Sequence, residues 1–321
     1  MSRFDALTLR HLRALRAVAE HGSLTAAATY LGLSPPAIHA QLRALEDLVG
    51  ASLVLRAEHG AFVPTQLGHA VLEAQAQIAV ALDSCERRVA ALQAGHAGSV
   101  VLGVVTTGIY FAARLVALLG RAFPDIDVTL RVGSREEMVA ALTSHEVDLA
   151  IMGRPPRRPA VEAAPIGPHP HVLIAPPDHP LALADPALPA DLLAQTFLAR
   201  ETGSGTRILM TRYLDRIGEG TPWRMIEMGS NETIKQAVIA GLGIALISQH
   251  TVAQELRSGQ LITLNGIGLP ILRSWFLIRP QDVALSAAVA RIHDHVLALN
   301  GSFLPVPPQP QPLGLSPQAP I

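Results

Sequence analysis

The apolar positions between residues 22 and 50 repeat with the period of a helix, in two short runs. Ser23 can cap a first helix, predicted from Leu24 to about Leu31, and Gly32 can then turn through the left-handed region. Ser34 can cap a second helix. One face of this second helix is predicted to be buried, because its apolar residues follow at spacings of four, three and four: Ile38, Leu42, Leu45 and Val49.

The opposite face of the second helix carries small or polar side chains. Pro35 stands at its first position, where the missing N–H loses no helical hydrogen bond, and Pro36, His39, Ala40 and Arg43 follow on the same face. This pattern indicates a helix-turn-helix whose second helix can enter a DNA major groove. An ordinary helical hairpin fits the same periodicity, so the pattern alone leaves both alternatives open.

The segments on either side extend this unit. The pattern predicts a first helix over Leu7–His21, and two short strands, Leu53–Arg56 and Ala61–Thr65, around a turn at Glu58–Gly60. Three helices and such a hairpin make a winged helix-turn-helix. Arg56 lies near the base of the hairpin, where it could reach a DNA phosphate or could equally be a solvated surface residue.

A long apolar seam follows the hairpin. Thr65 can cap a helix that runs to about Ala94, and a heptad-like spacing predicts a helix pair between subunits. Cys85 lies on the seam, and we interpret it as a packing residue because only Arg88 is basic among the positions three or four residues away. The seam consists of Leu67, Val71, Ala74, Ile78, Ala81, Cys85 and Leu92, with Leu82 and Val89 beside it.

Beyond this helix the period changes to strands alternating with helices, which is typical of a parallel sheet with helices on both faces. The predicted β-α-β-α-β elements are Val100–Val105, Ile109–Phe123, Ile126–Val132, Arg135–Thr143 and Val147–Ile151. A proline-rich stretch, Arg154–Pro168, is predicted to cross to a second lobe. That lobe has strand candidates at Val172–Ala175, Phe197–Arg200, Arg224–Met228, Ile244–Ile247 and Leu261–Thr263.

The last elements are predicted to return to the first lobe. Leu272–Ile278 can be a final strand of that lobe and Ala284–Leu299 a final helix, and a proline-rich tail that we expect to be disordered follows. The predicted domains are therefore a winged helix-turn-helix (1–64), a dimerisation helix (65–94), an effector-binding domain (95–300) and a tail (301–321). Within the effector-binding domain, lobe 1 comprises about 99–165 and 270–299, and lobe 2 about 166–269.

Composition narrows the class of protein. The 321 residues carry 25 Lys+Arg and 26 Asp+Glu, so the net charge of −1 gives no global sign of nucleic-acid binding. The single cysteine excludes an intrachain disulfide, which fits a reducing cytoplasm. The first ten residues lack the apolar run of a signal peptide, and no apolar stretch is long enough to span a membrane. We therefore expect a cytoplasmic protein.

Three predicted strand-to-helix turns carry hydroxyls and glycines that could meet an anion: Thr106–Gly108, Gly203–Arg207 and Gly229–Glu232. Helix N-termini attract anions, and ligands of open α/β sheets bind beyond the carboxyl ends of the strands. Arg154, just past the third strand, could pair with a phosphate or a carboxylate. Together these features predict a cleft for a small anionic metabolite, although each turn alone is better explained as a capped turn.

Enzymatic and metal-binding patterns are weak. Residues 201–207 lack the Gly-Lys-Ser/Thr ending of a P-loop, and residues 241–243 lack the third glycine of a dinucleotide fingerprint. His169, His171 and His179 are interleaved with prolines and lack the spacing of zinc ligands. We predict no catalytic residue, no metal and no resident cofactor.

Four segments of the second half are similar to a known family: VDLAIMGRPP at 147–156, IAPPDHPLA at 174–182, ETGSGTR at 201–207 and EMGSNETIKQAVIAGLGIALIS at 227–248. With the predicted order of parts, they resemble the LysR-type transcriptional regulators from about residue 7 to 299. Within that family the resemblance is to the RuBisCO-operon (Calvin-cycle) regulators.

The resemblance implies an α/β fold with an all-α-rich N-terminal domain: a winged helix-turn-helix, a linker helix and a two-lobed, periplasmic-binding-protein-like effector domain. It implies a homotetramer, a dimer of dimers with paired linker helices, that binds double-stranded DNA upstream of carbon-fixation genes and usually activates them, with RNA polymerase as a further partner. Effectors of similar proteins are ribulose bisphosphate, phosphoenolpyruvate, ATP or NADPH.

The resemblance also implies two sets of binding residues. Those expected to bind effector are Thr106, Thr107, Gly153, Arg154, Glu201, Thr202, Asn231 and Glu232. Those expected to bind DNA are Ser23, Thr25, Ser34, Pro35, Pro36, His39, Arg43 and Arg56.

The chain departs from the family at the start of the second helix. Many members have Thr-Gln-Pro-Ala-Val-Ser where residues 34–39 read Ser-Pro-Pro-Ala-Ile-His. Pro35 thus replaces a glutamine that could read a base, and we hypothesise that its ring packs on a thymine methyl group or on a sugar. Three other functions stay open: a LysR-type regulator of another operon, a solute-binding protein suggested by the two lobes, and a sugar-phosphate enzyme suggested by the anion-binding turns.

Overall fold

The computed structural model describes residues 3–57, 60–93 and 96–306. The chain divides into two compact units, Met1–Glu86 and Arg87–Ile321, which we describe separately. Three features predicted from the sequence fall at least partly outside the described residues: the turn of the hairpin at 58–59, the end of the long helix at Ala94, and the tail from 307 onward.

The first unit begins with a 3-10 turn, Arg3–Ala6, and three helices: α1 (Leu9–His21), α2 (Leu24–Leu31) and α3 (Pro35–Val49). The predicted caps are confirmed. The Ser23 hydroxyl accepts the N–H of Ala26 at 3.1 Å, and the Ser34 hydroxyl accepts the N–H of Ala37 at 3.4 Å. Gly32 ends α2 with φ at 64°, a value that disfavours a side chain.

The predicted stripe of α3 forms the centre of this unit. Ile38, Leu42 and Leu45 are buried, and Val49 packs against the edge of their cluster. Strands β1 (Val54–Arg56) and β2 (Phe62–Pro64) pair antiparallel as the wing, with Val54 opposite Pro64. The Phe62 N–H donates to the carbonyl of Gly22 at 2.8 Å, so the wing is hydrogen-bonded to the turn between α1 and α2.

Helix α4 (Gln66–Gln93) follows, and it crosses the boundary between the two units. The Thr65 hydroxyl accepts the N–H of Gly68 at 3.0 Å, which confirms the predicted cap. The predicted seam is largely open to solvent in the single chain. Its exposed members and neighbours include Leu67, Ile78, Leu82, Cys85, Val89 and Leu92.

The second unit contains a seven-stranded sheet whose first three strands in the chain are parallel, as predicted. The elements of the first part are β3 (Gly98–Val105), α5 (Ile109–Ala122), β4 (Ile126–Gly133), α6 (Arg135–Thr143) and β5 (Leu149–Met152), joined later in the chain by β11 (Ile271–Pro280) and α11 (Ala287–Ala298).

The later elements build a second group. They are β6 (Val161–Ala175), α7 (Pro189–Leu193), β7 (Thr196–Ala199), α8 (Gly205–Gly218), β8 (Arg224–Glu227), α9 (Asn231–Ile239), β9 (Ala245–Ser248), α10 (Ala253–Ser258) and β10 (Ile262–Leu264). A 3-10 turn, Gln249–Val252, precedes α10. Helix α7 was not predicted from the sequence. Strands β7 and β8 form a separate parallel pair. The order in the seven-stranded sheet is β10-β6-β11-β5-β3-β4, and β9 also pairs with β6.

Two large cores define two lobes within this unit. Lobe 1 packs around Phe111 and Trp275, whereas lobe 2 packs around Phe197 and Tyr213. Strand β6 contributes to both cores, through Ile166 in the first and Leu173 in the second. The long strand β6 therefore connects the lobes.

The predicted start of a strand at Val172 is wrong, because strand β6 already begins at Val161, within the stretch 154–168 that was predicted to cross between the lobes. Its prolines 165, 168 and 170 lie opposite β11. Among the described strands, β6 pairs only with β11 over this region, since β9 and β10 pair with it from His171 onward. A strand with one free side tolerates prolines, whose missing N–H can face that side.

The predicted disorder from residue 301 is also wrong for 301–306. Phe303 and Leu304 are buried in the core of lobe 1, where the ring centroids of Phe303 and Phe111 lie 5.7 Å apart. Gly301 permits this close approach, because a Cβ there would lie 2.8 Å from the Ile166 carbonyl oxygen. Among the helices of the described residues, none is both long and apolar enough to cross a membrane.

Candidate functional site

The predicted DNA-binding residues form an exposed face in the first unit. Pro35, Pro36, His39 and Arg43 are all exposed along α3, opposite its buried stripe. The hydroxyls of Ser23 and Ser34 cap α2 and α3, so both serines already have a structural role.

Two further members of that set lie outside α3. Thr25 is exposed near the start of α2. Arg56 is exposed on the wing, with its guanidinium 5.9 Å from the centroid of the Phe62 ring. Binding of DNA by these eight residues stays a prediction.

A cavity opens between the two lobes of the second unit. It measures about 810 Å³, including the space at its open mouth. The carboxyl ends of β3, β5 and β7 lead into its wall, as expected for a ligand site in an α/β sheet. The N-terminus of α8 contributes Ser204, Gly205 and Thr206.

Five arginines line this cavity, against a single carboxylate. The arginines are Arg135, Arg154, Arg200, Arg212 and Arg273, and the carboxylate is Glu201. In the described part of the chain, Arg200 is the only one of the five with a carboxylate partner. Guanidinium groups hydrogen-bond to carboxylates and phosphates in a bidentate manner. The arrangement therefore suits an anion with several oxygen atoms.

Arg200 organises the wall contributed by lobe 2. Only 5% of its side chain is exposed, and its Nε and Nη2 donate to the two carboxylate oxygens of Glu201 at 2.6 and 2.7 Å. Its Nη1 donates to Asn231 Oδ1 at 2.8 Å and lies 3.5 Å from Thr106 Oγ1. Because Thr106 follows a strand of lobe 1, this last contact joins the two lobes.

Arg135 and Arg154 form the opposite wall. Arg135 Nη1 donates to the backbone carbonyl of Arg154 at 2.6 Å. Burial lowers the pKa of Arg135, and the positive charge of Arg154 acts in the same direction. Two cations held near each other without a carboxylate between them favour an anionic ligand.

The base of the cavity is aromatic. The His169 ring stacks on Trp275 with centroids 3.8 Å apart and planes at 13°, and Trp275 Nε1 donates to His250 Nδ1 at 3.1 Å. Burial lowers the pKa of His171 and of His250 to about 4, so both imidazoles are neutral at pH 7. The remaining predicted histidine, His179, lies in a loop outside the cavity lining, where its Nδ1 accepts the N–H of Leu181.

Among the described residues, no cluster of three or more His, Cys, Asp or Glu side chains could hold a metal ion.

The structure brings five of the eight predicted effector residues to the cavity: Thr106, Thr107, Gly153, Arg154 and Glu201. The other three do not line it. Thr202 is exposed, Asn231 faces Arg200, and Glu232 pairs with Lys235 at 2.8 Å. Effector binding by the whole set stays a prediction.

Sequence reasoning missed most of the arginines. Arg212 could have been found, because it follows Thr206 and Leu209 at helical spacing on α8, and all three line the cavity. Arg273 lies directly opposite His169 across β11 and β6. That pairing brings together residues about a hundred positions apart, and no local pattern in the sequence indicates it.

Two family models match the chain. A model of the LysR substrate binding domain matches residues 93–300, and a model of the bacterial regulatory helix-turn-helix proteins of the lysR family matches residues 9–69. The HTH-type transcriptional regulator CbbR of Cereibacter sphaeroides is 56% identical over 310 residues, 96% of this chain and all of that one. The RuBisCO operon transcriptional regulator of Allochromatium vinosum is 40% identical over 91% of this chain and 96% of its own length.

A solved structure is similar to the second unit. It is the CcmR regulatory domain of Synechocystis PCC6803 in complex with 2-PG, with 33% identity and a TM-score of 0.60, covering 63% of this chain and 97% of that one. The fold and the matches define a two-part regulator, a helix-turn-helix joined to a ligand-binding α/β domain. The chain belongs to the lysR family of transcriptional regulators, and it is a regulator rather than an enzyme.

Proposed function

We propose that this regulator controls carbon-fixation genes of the RuBisCO (Calvin-cycle) type in response to a small anionic metabolite bound between its two lobes. The observation that carries the proposal is the positive charge of the cavity. Four of its arginines, Arg135, Arg154, Arg212 and Arg273, form no ion pair among the described residues. The names of the curated relatives supply the gene class.

The site favours a ligand that carries a phosphate, a carboxylate, or both. The N-terminus of α8 presents backbone N–H groups beside the arginines, and this combination is well suited to phosphate oxygens. CcmR was solved with 2-PG, which is 2-phosphoglycolate. This compound joins ribulose bisphosphate, phosphoenolpyruvate, ATP and NADPH as a candidate effector.

The ligand would act by shifting the population of lobe arrangements. Thr106, Arg135 and Arg154 come from lobe 1, whereas Arg200 and Arg212 come from lobe 2, so one bound anion contacts both sides. A ligand shifts such an equilibrium only by its preference for one arrangement, and a tenfold preference corresponds to about 1.4 kcal/mol per site.

The exposed seam of α4 supports an oligomer. Apolar residues such as Ile78, Leu82 and Val89 face solvent in the single chain, and pairing with a second α4 would bury them. We propose a dimer of dimers in the cytoplasm, with α3 of each subunit in a major groove and RNA polymerase as the partner in activation.

The test is a DNase footprint of the full chain on DNA upstream of its carbon-fixation genes, with and without each candidate effector. We expect protection of two half-sites, and a change in the extent of protection with at least one effector. An identical footprint with every effector contradicts control by a bound anion, and the absence of any footprint there contradicts the gene assignment.

A further inference from the structure

The imidazole of His169 is unusual in the wall of the effector cavity. Its side chain is only 5% exposed, and neither Nδ1 nor Nε2 has a hydrogen-bond partner in the described part of the chain. Buried polar atoms without a partner are rare, and each one calls for an explanation. Because the residue lines the cavity, a bound ligand can supply the missing partner.

The surroundings hold this ring in one place. Trp275 stacks on one side at 3.8 Å, and the centroid of His171 lies 4.2 Å away. Gly153 makes room for the ring, because a Cβ at residue 153 would lie 2.8 Å from His169 Nδ1. Both ring nitrogens are closed off from solvent while the cavity is empty. An anion therefore reaches one of them only when the wall around the ring opens or the ring turns.

Every titratable group that acts on the ring is basic. His171 faces it from β6, Arg273 from β11 and His250 from the 3-10 turn before α10, and no carboxylate among the described residues opposes them. Burial and then these three groups hold the pKa of His169 well below 6.5. Without a ligand the imidazole is neutral at pH 7.

We propose that His169 hydrogen-bonds directly to the anion in the cavity and takes up one proton from solvent when that anion binds. The proton adds to the free imidazole nitrogen, both nitrogens then carry N–H groups, and an N–H donates to an oxygen of the anion. The ligand keeps its own charge. This inference rests on the proposed function, because it assumes that the cavity binds an anion.

The physical reason is the sign of the local field. While the cavity is empty, the positive charge around His169 disfavours its protonated form. A bound dianion reverses that local field and favours the imidazolium. Because proton uptake is linked to anion binding, the affinity for the anion depends on pH in a fixed direction. The affinity for the anion rises as the pH falls through the pKa of the complex, by up to about tenfold per pH unit for one proton.

The experiment is calorimetric titration of the full chain with 2-phosphoglycolate at pH 7, in two buffers of different ionisation enthalpy. At this pH the phosphate is mostly a dianion, since the second pKa of a phosphate monoester is about 6. We expect a net uptake of protons, up to one per chain. We expect His169→Gln to abolish the uptake, and the matched control His250→Gln to retain it, since His250 does not line the cavity.

Three results would overturn the inference. They are binding without proton uptake in the natural protein, uptake that persists in His169→Gln, or uptake lost equally in the control. If His169→Gln does not fold, ¹⁵N-histidine spectra of the natural protein decide: one imidazole must change to the imidazolium pattern when the probe is added. Absence of binding by both 2-phosphoglycolate and ribulose bisphosphate overturns the proposed function as well.

Discussion

Arg200 and Glu201 are neighbours in the chain, and the guanidinium of the first donates to both carboxylate oxygens of the second, at 2.6 and 2.7 Å. The pair lies in the wall of the cavity and neutralises its most buried arginine. It therefore sets how much positive charge an incoming anion meets.

The two partners should have opposite effects on effector binding. Arg200→Gln leaves the Glu201 carboxylate unopposed and should weaken 2-phosphoglycolate binding about tenfold or more, about 1.4 kcal/mol. Glu201→Gln frees the guanidinium and should strengthen binding several-fold. Calorimetric titration measures both, and a change in the same direction for the two variants would contradict this account.

Gly153→Ala should damage the cavity floor. The added Cβ would lie 2.8 Å from His169 Nδ1 and 2.9 Å from its Cε1, so the stacked ring must move. We expect a loss of about 1–3 kcal/mol in the free energy of unfolding and weaker 2-phosphoglycolate binding. Urea denaturation and calorimetry measure these effects.

Gly229→Ala is the matched control for this substitution, because a Cβ there meets no atom within 4 Å. Its stability should stay within about 0.5 kcal/mol of the natural protein. Equal stability and equal affinity for the two variants would show that the ring of His169 moves aside freely.

The seam of α4 should be required for DNA binding. Residues 1–64 carry six arginines against five acids, so a single subunit should hold DNA weakly. Pairing of α4 helices places several helix-turn-helix units on one DNA site and raises the affinity for DNA by about a hundredfold or more. Ile78→Asp should therefore abolish operator binding in gel shifts, while the 22–50 helical pair stays folded.

Ala76→Asp adds the same charge on the other side of the helix, about 200° away, and should leave both assembly and DNA binding intact. Sedimentation and circular dichroism monitor assembly and folding. Tight operator binding by a monomeric Ile78→Asp variant would show that the affinity has another source.

Arg43→Gln should weaken operator binding and reduce the slope of log affinity against log salt by about one per bound subunit. The side chain is exposed on the predicted reading face of α3. Arg16→Gln is the control, because Arg16 is exposed on α1 and its Nε already pairs with Glu20 at 2.7 Å. Equal salt slopes for the two variants would remove Arg43 from the DNA contact.

Local features of the fold could be predicted from the sequence. The caps of α2 and α3 each depend on two residues three positions apart. The buried stripe from Ile38 to Leu45 depends on the period of a single helix. Residues close together in the sequence therefore determine both features. The alternation of strands and helices from Val100 to Ile151 likewise indicated the parallel part of the sheet.

Features that depend on distant pairing could not be predicted. The proline-rich first part of strand β6 was predicted as a crossing between the lobes and not as a strand, because its pairing is with β11, about a hundred residues later. Phe303 reads as part of a proline-rich tail, but it fills space beside Phe111. Of the three turns predicted to meet an anion, Thr106–Gly108 and Gly203–Arg207 contribute to the cavity lining, and Gly229–Glu232 does not. Arg273 reaches the cavity only through the pairing of β11 with β6 and was missed.

The central claim is that the anion in the arginine-lined cavity controls the DNA complex, and one linked titration tests it. The concentration of 2-phosphoglycolate or ribulose bisphosphate that changes the footprint by half is compared with the calorimetric affinity of the same full chain. The two should agree, and Arg212→Gln should shift both by the same factor. A footprint that changes at an unshifted concentration in Arg212→Gln, while calorimetry shows weakened binding, would contradict the claim.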